Sequence, residues 1–388
     1  MHAGCMSSSN RSDTTASPPP APGGDSHLGL LDGLRGFLAF WVFFGHLQIA
    51  CTGAAPTCGH PANAVDVFMI LSGFLMTHHW VRRREHFASG AHQTIDFYLR
   101  RFFRIAPLYY LLYTIAFFGA GWFSTAPKAG PRLMDALAHY SFVFGAIPAF
   151  VSNNVLPDWS IGLEMQFYLF FPLLLAAMVR WSPLASVFAG LVAAYVAKKM
   201  FGLYDGPAGP WGHFAQPGML LFKVDIFLAG MCLALHWQQR AHLRCVMWLV
   251  LAACPLVTSP LEVKAAAIVM MLLLHFDAPR HDFVHRVLAG RVARFAGDVS
   301  YSVYLLHAIL MHPILGWLMK QDWFTNLTAM ARVSVALVIV GPPLYALSAL
   351  LHRWVEQPGI ALGRSVSAAL SRRLGYPPAP LAAPAPSP

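Results

Sequence analysis

The chain has 388 residues, of which 57% are apolar and 11% charged, against about 25% charged in an ordinary soluble domain. That excludes a conventional soluble enzyme, and ten crossings of about 20 residues each fit within the length. The 27 Lys and Arg outnumber the 17 Asp and Glu by ten, a surplus that records topology in a membrane chain. No basic run is interleaved with aromatics as a nucleic-acid groove would be. Six scattered cysteines without a Cys-x-x-Cys pair supply neither a disulfide scaffold nor a zinc site.

Residues 1–28 are rich in Ser, Pro and Gly and hold no apolar run, which predicts a disordered cytoplasmic leader without a signal peptide. Apolar runs follow at 33–50, 64–81, 102–123, 159–179, 184–200, 217–237, 243–258, 261–276, 295–318 and 328–352. They predict an all-α polytopic membrane domain over 29–362 with about ten transmembrane helices. Ala136–Val151 is also apolar, but it is short and contains Pro148, so it reads as an interfacial or re-entrant segment. Residues 363–388 read as a Pro/Ala-rich cytoplasmic tail. With the amino terminus inside, eighteen Lys and Arg fall in internal segments and seven in external ones. That bias puts both termini in the cytoplasm.

The first helix carries Arg35 and His46 in LDGLRGFLAFWVFFGH. Eleven steps make about three turns, so the two share a face and lie about 16 Å apart. A titratable group inside a span costs about 3 kcal/mol or more and needs a partner or a job; for Arg35 a salt bridge to Asp32 is the plain alternative. The next loop, CTGAAPTCGHPAN, holds Cys51 and Cys58, compatible with a local disulfide or with two free thiols. Asp66 in the second helix lies near the depth of His46. Between helices two and three, RRR at 82–84 suits lipid phosphates. Arg101 and Arg104, with Arg100 adjacent, open a helix in a pattern suited to phosphate or pyrophosphate; contact with lipid phosphates, as for any positive-inside charge, is the alternative.

The fourth helix, WSIGLEMQFYLFFP, sets Glu164 and Tyr168 four apart on one face. His46, Asp66 and Glu164 are thus expected to converge at one level, where a carboxylate would hold the imidazole in one tautomer as a general base. The alternative is three buried polar residues satisfied separately. Lys223 and Asp225 are two apart and need separate partners. In GDVSYSVYLLHAILMHP, Ser300, Tyr304 and His307 share a face, with Asp298 and Tyr301 nearby, and read as a hydrogen-bonded packing stripe. His78, His79, His236 and His275 read as interfacial anchors, and Cys232, Cys245 and Cys254 as packing residues.

Six segments in order carry a family resemblance: LDGLRGFLAFWVFFGH, VDVFMILSGFLM, RRFFRIAPLYY, DWSIGLEMQFYLFFP, GDVSYSVYLLH and HRWVEQP. Over residues 28–362 the chain resembles the acyltransferase family 3 integral membrane proteins, which include O-antigen, exopolysaccharide and peptidoglycan O-acetylases and macrolide acylases. The resemblance implies that His46 is the essential catalytic histidine and Arg35 its motif partner. It implies that Arg101 and Arg104 belong to an acyl-CoA-binding motif, and that Glu164 and Tyr168 match an essential Glu-x-x-Phe-Tyr segment. It further implies a cytoplasmic acyl-CoA donor, acetyl-CoA being the commonest in the family, a carbohydrate or lipid-linked glycan acceptor, no metal, and residence in a bacterial inner membrane.

On this basis Asp66 or Glu164 is expected to orient His46, and Tyr168 to donate to the oxyanion or place the acceptor. Lys223 stands where many members have Arg, with the acidic position shifted to Asp225. The rival reading makes His46, Asp66 and Glu164 the relay of a proton-coupled secondary transporter. Neither an internal repeat nor matching broken helices in two halves supports it.

Overall fold

The structure, a computed structural model, describes residues 24–57, 59–119, 132–151, 154–203, 209–210, 212–237 and 283–376. The predicted spans 243–258 and 261–276 lie outside these residues, as do Cys58, Cys245, Cys254, His275, residues 1–23 and residues 377–388.

Thirteen helices are described: α1 Gly24–Thr52, α2 Pro61–Arg83, α3 Gly90–Phe118, α4 Arg132–Tyr140, α5 Trp159–Arg180, α6 Pro183–Met200, α7 Val224–His236, α8 Phe283–Leu288, α9 Arg291–Asp298, α10 Ser300–Leu318, α11 Asp322–Thr325, α12 Ala329–Leu351 and α13 Gln357–Arg373. The strands described, Gly202–Leu203 and His213–Phe214, form one two-residue parallel pair. Local signals set several helix starts: Ser89, Ser182 and Thr328 accept hydrogen bonds from the first turns of α3, α6 and α12, and Pro61 and Pro183 occupy first-turn positions where no amide hydrogen is needed. Six helices are long and apolar enough to cross a membrane, and α7 is a shorter apolar helix. Large apolar side chains such as Leu173, Phe188 and Val338 face outward from α5, α6 and α12, as a lipid-facing surface requires.

α3 differs from expectation. It begins at Gly90 rather than near 102, because its first three turns are too polar to register as an apolar run although nothing in them breaks a helix. Arg101 and Arg104 therefore sit midway along a 29-residue helix, not at its start. The apolar stretch at 136–151 forms the end of α4 and a 3₁₀ turn at Val143–Ala146, entered through a left-handed Phe142 (φ 61°).

α12 continues through a π-turn at His352–Glu356 into α13, a run of 45 residues. At 1.5 Å per residue it is about 67 Å long, more than twice a hydrocarbon core of about 30 Å. Its far end lies antiparallel on the first half of α3. Gly359 and Gly363 meet Phe103, Ser367 donates to Asp96 at 2.6 Å, and Ser371 pairs with His92 at 2.8 Å. Residues 363–373, placed in a tail by composition, are helical here. A small residue every fourth position (359, 363, 367, 371) gives α13 the smooth stripe that admits α3.

α2 and α7 approach each other closely beside the interior. A Cβ on Gly230 would lie 2.1 Å from the Ile70 carbonyl oxygen, and one on Gly73 would lie 2.3 Å from that of Phe227. α2 and α7 can approach this closely only because both positions lack a side chain.

Candidate active site

Six helices enclose a cavity of about 340 Å³: α1, α2, α3, α5, α7 and α10. α2 supplies a stripe at helical spacing, Val65, Phe68, Met69, Ser72, Leu75, Met76 and His79. Between Val65 and His79 the cavity follows that helix for about 21 Å. α1 adds Asp32 and Arg35, α3 adds Arg101, Arg104 and Ile105, α5 adds Ser160, Ile161, Glu164 and Tyr168, α7 adds Phe227, and α10 adds Ser300, Tyr301 and Tyr304.

Glu164 and Tyr168 meet one turn apart. The Tyr168 hydroxyl donates to Glu164 Oε1, which also accepts from Ser72 Oγ at 3.2 Å. The other carboxylate oxygen takes no hydrogen bond among the described residues. A phenol has one proton, and in this structure the Tyr168 hydroxyl directs it to Glu164. The Arg101 guanidinium lies over the rings of Phe97 and Tyr168, 5.9 and 5.8 Å from their centroids. Arg35, Arg101 and Arg104 share one electrostatic neighbourhood with Glu164 and Tyr168. Among the described residues none of the three forms an ion pair with a carboxylate within 4.0 Å. Arg100, their neighbour in sequence, is engaged elsewhere: Asp96 accepts from its Nε at 2.6 Å and also meets Arg83 at 3.5 Å.

The expected meeting of His46, Asp66 and Glu164 is absent. Asp66 is held by Lys223, 2.7 Å from Oδ1 and 2.9 Å from Oδ2, since a buried carboxylate takes the nearest cation that offsets its desolvation. His46 does not line the cavity. It lies beyond the Tyr304 end and stacks on His307, with ring centroids 5.1 Å apart and planes at 25°. His46 Nδ1 is 2.9 Å from the Val42 carbonyl oxygen and 3.3 Å from His307 Nε2. Tyr304 stands between the two regions: its hydroxyl is 2.6 Å from Ser160 Oγ and 2.8 Å from the Pro157 carbonyl oxygen, and its ring centroid is 6.1 Å from that of His307.

Sequence reasoning therefore missed the part played by Ser72, Ser160, His79, Tyr301 and Tyr304 in the cavity wall. The signal for Tyr304 was the face it shares with Ser300 and His307, which reads equally as packing, and Tyr301 lay off that face. Ser72 and Ser160 carry no signal in composition or charge.

A second polar cluster lies outside the candidate spans. His139, on α4, is fully buried between the rings of Tyr113 and Phe144 (4.5 and 4.3 Å), with Asp135 and Asp158 at 3.2 and 3.5 Å. Burial alone would push this imidazole down; the Asp135 hydrogen bond and the Asp158 charge outweigh it and leave the pKa raised above the ordinary 6.5. The cluster anchors the start of α5, which Asp158 immediately precedes. Among the described residues no group of three or more His, Cys, Asp or Glu could hold a metal ion.

The family model described as an acyltransferase domain matches residues 29–351. Acyltransferase MdmB of Streptomyces mycarofaciens is 28% identical over 382 residues, covering 86% of this chain and 91% of that protein. Exopolysaccharide production protein ExoZ of Rhizobium meliloti is 26% identical over 344 residues, 82% of this chain and 98% of that protein. Peptidoglycan O-acetyltransferase OatA of Listeria monocytogenes is 29% identical over 164 residues, 39% of this chain and 24% of that protein. No solved structure matches the chain.

Proposed function

We propose a reaction for this chain, which belongs to the acyltransferase 3 family and is a multi-pass membrane acyltransferase: it moves an acyl group, acetyl in the simplest case, from cytoplasmic acyl-CoA to a carbohydrate hydroxyl. The observation that carries the reading is the elongated cavity with three guanidiniums that form no ion pair with a carboxylate within 4.0 Å among the described residues. An unpaired cation among apolar helices is costly, and a polyanionic ligand offsets that cost. The phosphates of CoA supply such charge, and Arg101, Arg104 and Arg35 would hold them. The relatives named for peptidoglycan and exopolysaccharide support a glycan acceptor.

A thioester is already activated, so the protein has to position it, take a proton from the acceptor and stabilise the oxyanion. In this reading the acyl end reaches the Ser160–Tyr304 end of the cavity, beside His46. His46 takes the acceptor hydroxyl proton as the oxygen attacks the thioester carbon, the carbon–sulfur bond breaks, and the departing CoA thiolate receives that proton. Glu164 offers its unengaged oxygen to an acceptor hydroxyl, and the field of the three arginines favours the oxyanion. The protein would then have ten spans with both termini in the cytoplasm of a bacterial inner membrane, the leader and tail flanking one domain.

Transfer of label from radiolabelled acetyl-CoA to glycan fragments by the purified protein tests this. His46→Ala is expected to abolish transfer while donor binding persists. Arg101→Ala is expected to raise the donor KM about 10- to 100-fold, the loss of a charge-assisted contact. Full transfer by His46→Ala together with unchanged donor KM in Arg101→Ala would overturn the reading.

A further inference from the structure

His46 and His307 come from different helices, and hydrogen-bond bookkeeping fixes which nitrogen of each carries the proton. His307 Nδ1 is 2.6 Å from the Tyr304 carbonyl oxygen. A carbonyl only accepts, so Nδ1 of His307 is the protonated nitrogen and, in the neutral ring, Nε2 is an acceptor. That acceptor lies 3.3 Å from His46 Nδ1. His46 Nδ1 is also 2.9 Å from the Val42 carbonyl oxygen, which again demands a proton on Nδ1. Both neighbours of that nitrogen are thus acceptors, and Nε2 of His46 is left bare.

We propose that His307 is a positioning residue that, together with the Val42 carbonyl, holds His46 in its Nδ1–H tautomer and fixes the orientation of its ring, so that Nε2 of His46 is the atom that receives the acceptor's proton. The inference rests on the proposed role of His46 as the base. His307 is 1% exposed and its ring is bordered by Phe43 at 6.5 Å, so water does not substitute for it and its orientation is set by packing. As the acceptor O–H bond breaks and an N–H bond forms at Nε2, His46 becomes an imidazolium whose Nδ1–H donates more strongly to His307. When the thiolate takes the Nε2 proton, the starting tautomer returns. The arrangement performs the orienting task of the carboxylate in a Ser-His-Asp triad with a neutral acceptor, which burial in an apolar bundle penalises far less than an anion. It also accounts for a histidine that works without Asp66, which Lys223 holds.

Nitrogen NMR of the full-length protein in lipid nanodiscs, with ring-labelled histidine, reads the tautomer directly; the His46 signals are those lost in His46→Ala. The wild type is expected to show a protonated Nδ1 and a bare Nε2. His307→Phe keeps a ring but no acceptor and leaves the Val42 carbonyl as the sole partner of Nδ1, so it is expected to shift the His46 Nδ1–H signal and to lower kcat about 10- to 100-fold at unchanged donor KM. His307→Gln, whose amide oxygen reaches the same place, is expected to keep the Nδ1–H signal and recover most of kcat. An unaltered His46 signal in the Phe variant, or a shifted one in the Gln variant, would overturn the proposal. Equal kcat losses in the two variants would do the same. If His46→Ala transfers at the wild-type rate, the base assignment falls, and the NMR signals still decide the pairing on their own.

Discussion

Within the cavity the charges are unevenly matched: three guanidiniums face the carboxylates of Asp32 and Glu164 without an ion pair. Glu164 spends one oxygen on Ser72 and Tyr168. Glu164→Gln keeps an acceptor for both donors, removes the negative charge and puts an NH2 donor where the unengaged oxygen stood. The cavity becomes more positive, so the donor KM is expected to fall. The acceptor KM is expected to rise about tenfold, because the NH2 cannot accept the hydroxyl proton and the charge-assisted hydrogen bond is lost. Steady-state kinetics with each substrate varied in turn separate the two, and a raised donor KM would count against Glu164 as the acceptor's partner. At this scale the sequence revealed the unusual residues but not their pairings. Arg35, Arg101, Arg104, Glu164 and Tyr168 stand out because ionisable groups and their spacing are conspicuous in apolar runs, and they do share one cavity. Asp66 and His46 stand out equally, yet depth along a helix leaves rotation and neighbour undetermined. Lys223 and His307, distant in the chain, took them instead.

Among the helices, the α2–α7 contact sets the width of the cavity, since Ser72 and Phe227 on its wall are adjacent to Gly73 and three residues before Gly230. Gly230→Ala should help a helix by propensity alone, by about 1 kcal/mol, but here the added carbon would meet a carbonyl oxygen. The helices would have to separate, and overpacking of this kind costs about 1–3 kcal/mol. Gly316 on α10 has open space around it, so Gly316→Ala is expected to hold or raise the melting temperature while Gly230→Ala lowers it. Thermal unfolding in one detergent compares the pair, and equal behaviour would show that the close approach carries no cost. Apolar runs located the helices and missed their polar extensions. The first turns of α3 and the whole of α13 are amphipathic or polar, and α13 is ordered through its small-residue stripe against α3 rather than through its own hydrophobicity.

For the molecule as a whole, the charge bias and the ten apolar runs make a prediction that labelling can decide. Arg84, after α2, is expected inside, and Asp322, between α10 and α12, outside, because α10 and α12 are connected through α11 with the arginine-rich α9 on the other side. Those two positions report orientation, but they are blind to the runs at 243–258 and 261–276, since adding or removing two crossings leaves the parity unchanged. Ser259, between those runs, resolves the count. In a cysteine-free background, Asp322→Cys and Ser259→Cys are expected to react with a membrane-impermeant thiol reagent from the outside of spheroplasts, and Arg84→Cys only in inverted vesicles. Reaction of Ser259→Cys from the same side as Arg84→Cys would reduce the count to eight while keeping both termini inside. Reaction of Arg84→Cys from the outside of spheroplasts would reverse the depth of the arginines and remove the cytoplasmic donor from the mechanism.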